Sequence, residues 1–205
     1  ANKECLLSST YEPSSKTKMK LRAAPGAGTM YLQSECAEAL AELFAGAEEA
    51  GYKLYLKSAY RAYKTQKTMY NNRLERNNGK DDGWVSKPGA SDHQTGLGCD
   101  VVPGSWKDKS MNSNMASTPE CQWMAEHCYE YGFVIRYPED KQDITEINYE
   151  PWHLRYVGKE VARYIWRNGL CLEEFHEQLQ AAIDAYLAAG GDARRVEDLI
   201  QTSAE

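Results

Sequence analysis

The chain has 205 residues, 42% hydrophobic and 26% charged, enough for one globular domain with a real core or one domain plus appendages. A formal net charge of -6, with lysines and arginines scattered among acids, offers no basic footprint and argues against nucleic acid as a partner. The apolar runs are only a few residues long, so none can span a bilayer.

Residues 1–33 are polar and punctuated by Pro13, Pro25, Gly26 and Gly28, which predicts an N-terminal arm laid over a domain surface and carrying no chemistry. The opening "ANKECLL" has no signal-peptide pattern, as fits either a cytoplasmic chain or an exported one without its leader. The domain itself is expected over 34–190, followed by a C-terminal tail over 191–205. Ser34 is expected to cap a helix whose Cys36, Leu40, Leu43, Phe44 and Ala47 share one face, with Gly51 as its stop. "YKLYLKSAYR" alternates Leu54 and Leu56 with Lys53, Tyr55 and Lys57, the period of a half-buried strand that would deliver Ser58 and Arg61 to its end. A polar helix follows over about 63–76.

Residues 77–98, rich in Gly, Asn, Asp and Ser, form a long loop before the short apolar strand "CDVV". Loops of that length are more often functional than idle. Thr118 and Pro119 open another helix in cap and first-turn order, with Cys121, Met124, Cys128 and Tyr131 inward and Gly132 as the stop. "GFVIRYP" and "WHLRYVG" read as strands, and two helices over about 158–168 and 172–189 close the domain. With no repeat and no regular strand–helix alternation, the class is α+β with a largely antiparallel sheet. None of the six cysteines forms a CxxC pair, which leaves zinc-ribbon and thioredoxin readings without support. Cys121 and Cys128 on one helix would stand about 10 Å apart, too far for a disulfide.

Chemistry concentrates in "SDHQTGLGCD", residues 91–100. Gly96 and Gly98 free the backbone between His93 and Asp100, so an imidazole and a carboxylate can converge, and His153 in "YEPWHLRYVG" can supply a third ligand. Two nitrogens, one carboxylate and a fourth position for water describe a catalytic zinc site, whereas structural zinc is usually closed by four protein ligands. Glu150 is the natural general base for such a water. Pro151 excludes a helical interior, and a straight strand would turn residues 150 and 153 to opposite faces, so a bend near Pro151 is required. Arg61 can supply positive charge to an oxyanion, or serve as a structural ion-pair partner. His127, His176, Asp143 and Glu146 read as surface groups.

"SAYR" with Gln66, then "SDHQTGLGCD", then "EPWHLRYVG" resemble the VanY-type D-alanyl-D-alanine carboxypeptidases, zinc peptidases related to the VanX and VanXY dipeptidases. The resemblance runs from Tyr52 to Val157, about half the chain. It implies an α+β fold with a small antiparallel sheet carrying the zinc site and helices packed behind it, a fold shared with the Hedgehog signalling domain. It further implies that His93, Asp100 and His153 bind Zn2+, that Glu150 is the base, that Arg61 steadies the carbonyl in the transition state, and that Ser91 and Gln66 line the substrate pocket. The expected activity is removal of the C-terminal D-alanine from peptidoglycan stem peptides, outside the cytoplasmic membrane, by a monomer; family members are often membrane-tethered by an N-terminal segment, and the polar arm before Ser34 would suit the remnant of such a stalk. Alternatives with the same site are an L,D-carboxypeptidase, a D,D-dipeptidase or a cell-wall endopeptidase. An alternative of another class is a non-catalytic zinc-bearing binding module, which would have no need of Glu150 and Arg61. The pocket walls are expected from the 77–92 loop and the 104–118 segment. Cys99 departs from the small alanine often found in the family, and a thiol there would either fill buried space or face the metal.

Overall fold

The computed structural model describes residues 1–195, so the expected tail lies outside the described residues from 196 onward. Four strands form an antiparallel sheet in the order β3 (Leu54–Ser58), β4 (Gly98–Pro103), β6 (His153–Tyr156), β5 (Phe133–Ile135). Two short strands, β1 (Thr17–Lys18) and β2 (Tyr31–Leu32), pair within the N-terminal arm. That arm also covers the sheet's β3 edge. Leu56 N–H donates to Arg22 O at 2.8 Å and Ala24 N–H to Leu56 O at 2.9 Å, which satisfies backbone groups an open edge would expose.

The helix α1 (Ser34–Glu49) buries Cys36, Leu40, Leu43, Phe44 and Ala47, the face anticipated from their spacing. Its cap position is Gln33 rather than Ser34, because the backbone is already helical at Ser34. The buried face packs with Leu54, Leu56, Cys99, Val101 and Leu154 from the sheet and with Cys121 and Met124 from α3 (Pro119–His127). Thr118 caps α3 by accepting from Cys121 N–H. The helix ends at His127 and continues as a tighter turn to Tyr131, where Gly132 takes a left-handed φ of 85°. The outer side of β5 carries Val134 against Ala162 and Ile165 of α5 (Lys159–Asn168). The remaining helices are α2 (Tyr63–Arg76), the short α4 (Gln142–Thr145), which the pattern did not announce, and α6 (Leu172–Ala188).

Two irregularities place the site. Leu56 pairs with Val101 but Ser58 pairs with Asp100, so β3 carries one extra residue in a bulge at Lys57. Strict alternation would leave Ser58 on the core face with Leu56; the bulge turns it to the face that bears Asp100. The long loop before β4 is not wholly irregular, since Asp92–Thr95 form a 3-10 turn.

Candidate metal centre

Asp100 lies between β3 and β6 and is the direct cross-strand partner of both Ser58 and His153. Side chains paired across an antiparallel ladder share a face. The register alone therefore brings Asp100 against His153, with Nδ1 of the imidazole 3.3 Å from Oδ1. His93 reaches the same carboxylate from the 3-10 turn, its Nε2 being 3.3 Å from Oδ2. One ligand atom from each of the three lies within 4.8 Å of the others, and all three residues are buried.

Several restraints fix that arrangement. His93 Nδ1 is 2.7 Å from Ala59 O. A carbonyl can only accept, so Nδ1 carries the hydrogen and Nε2 presents its lone pair to the cluster, the arrangement in which a histidine binds metal. Arg61 N–H donates to His93 O at 3.0 Å and closes a second link between the 58–61 segment and the turn. Gly96 follows the turn with a left-handed φ of 70°. At Gly98 the need is space, because a Cβ would stand 2.8 Å from Asp92 Cβ. Both anticipated glycines are thus required, for different reasons.

Glu150 is brought to the cluster by the bend anticipated at Pro151. His153 N–H donates to Glu150 O at 3.1 Å, closing a turn that aims Glu150 Oε2 to 3.3 Å from His153 Nδ1. Burial pushes the Glu150 carboxyl upward, partly opposed by His153. Burial opposes protonation of His153, but Asp100 and Glu150 outweigh it and lift its pKa to about 9. His93 is lowered by burial and by Arg61. Asp100 is held well below the ordinary carboxylate range, its two histidine neighbours overcoming burial. Asp100 Oδ1 finds no hydrogen-bond partner among the described residues. Two carboxylates converging on two imidazoles, with a buried carboxylate oxygen left unsatisfied, fit a divalent cation at their centre.

Arg61 sits beyond the end of β3, in the turn leading to α2. Its Nη2 donates to Ser58 Oγ at 3.1 Å and its Nη1 to Gln66 Oε1 at 2.9 Å, and Nη2 lies 3.8 Å from Asp100 Oδ2. Gln66, 1% exposed, is anchored in turn by donating to Ser86 O at 2.6 Å. All seven residues anticipated for the site, Ser91 and Gln66 included, line one open cavity of about 370 Å³. Trp84, Val85 and Ser86 from the 77–92 loop and Met111 and Asn112 from the 104–118 segment supply walls where expected.

Other lining residues were not anticipated. Tyr137 packs edge-on against His153 with ring centroids 5.0 Å apart, and Trp84 stacks with Trp152 at 6.4 Å. Met69 and Arg73 continue the α2 wall from Gln66, and the i, i+3, i+7 spacing was the one sequence signal for them. Cys99 is settled by pairing: its partner is Leu154 in the core, so its thiol faces away from Asp100, and burial raises it well above the ordinary thiol range. All six cysteines are free. His127 pairs with Glu130 on the surface, away from the cluster.

Beneath the cluster lies a second charged layer that the sequence did not reveal. Asp92, fully buried, receives a hydrogen bond from Arg155 Nη1 at 2.5 Å. Arg136 Nε stands 2.8 Å from Asp92 Oδ2, close enough for strong attraction though poorly aligned for a directed hydrogen bond. Arg136 grips Glu173 of α6 with both terminal nitrogens, at 2.8 and 2.5 Å. This chain of charges ties α6 to the turn that carries His93.

The family described as VanY, D-alanyl-D-alanine carboxypeptidase, matches residues 29–159. The putative carboxypeptidase YodJ of Bacillus subtilis (strain 168) is 39% identical over 182 residues, covering 87% of this chain and 66% of the relative. The solved LdcB LD-carboxypeptidase superimposes with a TM-score of 0.80 at 40% identity, covering 86% of this chain and 83% of that one. A mutant of the D,D-pentapeptidase VanY from a VanB-type vancomycin resistance cassette, solved in complex with Zn(II), gives 0.70 at 28% identity, covering 85% and 95%. The chain spans between half and two thirds of the length of three of the curated relatives it matches.

Proposed function

The chain belongs to the VanY family of D-alanyl-D-alanine carboxypeptidases, and on that premise we propose that it is a zinc-dependent carboxypeptidase that removes the C-terminal D-alanine from peptidoglycan stem peptides outside the cytoplasmic membrane. The observation that carries the reading is the convergence of His93, Asp100 and His153 on one point, with Glu150 and Arg61 on its cavity side. His93 through Nε2, His153 through Nδ1 and one Asp100 oxygen would hold the zinc. The bound cation would supply Lewis acidity, polarising the scissile carbonyl and acidifying a water.

The protein's own groups do the rest. Burial raises Glu150, and a carboxylate so raised is better matched to taking a proton from water and returning it to the leaving amine. Arg61, clamped by Ser58 and Gln66, has guanidinium hydrogens left over for the oxygen that gains charge as the carbonyl is attacked. Its restraint before substrate arrives means little reorganisation during reaction. Ser91, buried at the cavity wall beside His93, is placed to contact the peptide. A non-catalytic zinc-bearing module would have no use for Glu150 and Arg61 at these positions.

A second reading, L,D-carboxypeptidase action on tetrapeptides, is favoured by the 40% identity to the LdcB LD-carboxypeptidase. Mass spectrometry of products from defined tetra- and pentapeptides, with and without a chelator, tests both readings. Chelator-sensitive loss of one alanine from the pentapeptide supports the first and from the tetrapeptide the second; an inert zinc-loaded chain would sink both.

A further inference from the structure

The cavity wall supplied by α2 is a stripe of Gln66, Met69 and Arg73, one face of a helix. Gln66 marks its deep end, bonded to Arg61 beside the cluster. Seven residues at 1.5 Å each put Arg73 about 10 Å further out along the same wall. The Arg73 guanidinium is held from one side by the Asp82 carboxylate: Nε donates to its two oxygens at 3.1 and 3.0 Å, and Nη2 to Oδ2 at 2.5 Å. Asp82 is itself fixed, since Asn148 Nδ2 donates to its carbonyl at 2.7 Å. Nη1 lies outside the bidentate pair. The side chain remains 39% exposed, and an ion pair that open to water adds little stability. What the pair does provide is a pre-ordered cation on the wall of a peptide-sized cavity, already stripped of much of its rotamer freedom.

We propose that Arg73 is a specificity-determining residue that takes a carboxylate from the part of the substrate N-terminal to the scissile bond. The assignment rests on the peptidase reading above for the identity of the substrate. It is separate from recognition of the terminal carboxylate on the alanine that leaves, because Arg73 sits a helix turn and more beyond the residues at the cluster. A stem peptide offers two carboxylates of this kind: the side-chain carboxylate of an acidic diamino acid such as meso-diaminopimelate, and the α-carboxylate of a γ-linked D-glutamate. Both are fork-shaped anions suited to a guanidinium edge.

The test is binding, read from the fluorescence of Trp84 and Trp152, which line the same cavity. Peptides of the form L-Ala–γ-D-Glu–X–D-Ala would be titrated into the zinc-loaded full chain in a Glu150→Gln background that prevents turnover. X is meso-diaminopimelate or L-lysine, each with the γ-D-glutamyl carboxylate free or amidated. The expectation is about tenfold tighter binding whenever one particular carboxylate is present, the worth of one charge-assisted hydrogen bond near a surface. Loss of the preference on changing X to lysine identifies the diamino acid as its source; loss on amidation identifies the glutamate. Arg73→Gln should abolish the preference and Arg73→Lys should keep part of it, with the peptides that lack that carboxylate bound as before. Equal affinity of the parent chain for all four peptides would overturn the assignment. So would an Arg73→Gln variant that weakens all four alike, as a merely loosened loop would. Hydrolysis of these peptides, and of the same peptides extended by a second D-alanine, by the chain with Glu150 intact separates the two readings: cleavage of either series without a charge preference sinks only this assignment, and a charge preference with cleavage of neither series sinks only the peptidase.

Discussion

Replacing Asp92 with asparagine removes one negative charge from the centre of the buried layer while keeping the side chain's shape. Asp92 is 0% exposed and Arg136 only 2%, so neither can turn to water. Arg155 Nη1 at 2.5 Å and Arg136 Nε at 2.8 Å would both lose their shared counter-ion, and Arg136 would be left with Glu173 alone. Breaking a buried pair by removing one partner costs about 3–5 kcal/mol. For a domain of this size each kcal/mol moves the midpoint by about 2–4 °C, so the melting temperature should fall by roughly 6–20 °C. Calorimetry of the metal-free protein at neutral pH measures it without interference from zinc binding. Acid supplies a second check. Burial pushes the Asp92 carboxyl up, but Arg155 and Arg136 overcome it and hold it well below its ordinary value. A depressed folded-state pKa gives stability that is fully present above the unfolded value, about 3.9, and is lost as pH falls below it. The difference between parent and variant should therefore stay constant from pH 7 to about 5 and shrink below about 4. A cost under about 1 kcal/mol at neutral pH, or a gap that widens in acid, would refute the view of Asp92 as the hub of that layer.

The remaining predictions concern the metal and the reaction. His93→Ala should abolish stoichiometric zinc, and metal analysis that still finds one zinc per chain would remove His93 from the ligand set. Glu150→Gln should keep its zinc while turnover drops by on the order of a hundredfold or more, since the amide cannot accept a proton; loss of zinc would make Glu150 a ligand instead. Arg61→Ala should lower kcat and kcat/KM together, by roughly 3 kcal/mol of transition-state stabilisation, with KM little changed. Arg61→Lys should restore little, because a point charge cannot hold Ser58 and Gln66 in one fork. An unchanged kcat with a greatly raised KM would make Arg61 an anchor for the substrate carboxylate.

Local pattern was enough for much of this molecule. The faces of α1 and α3, the strands at 54–58 and 98–103, and the bend demanded by Pro151 all follow from residues within a few positions of one another, because 3.6- and 2-residue periods and proline's fixed φ act over that range. The candidate ligands His93, Asp100 and His153 were legible for another reason: the chain has only four histidines, and two of them stand in a glycine-rich loop and beside Pro151 within motifs that resemble the VanY family. What tertiary structure alone decided is which of these groups meet. Asp100 touches His153 because β4 and β6 pair in one register; a slip by one residue would send Leu154 to the site and His153 to the core. Ser58 reaches Arg61 only through a bulge that period-2 reasoning would deny, and the same alternation across β4 turns Cys99 away from the metal site. The Asp92–Arg136–Glu173 layer joins residues more than thirty positions apart along the chain. No local period encodes such a contact, since it exists only after the sheet has paired and α6 has closed over it.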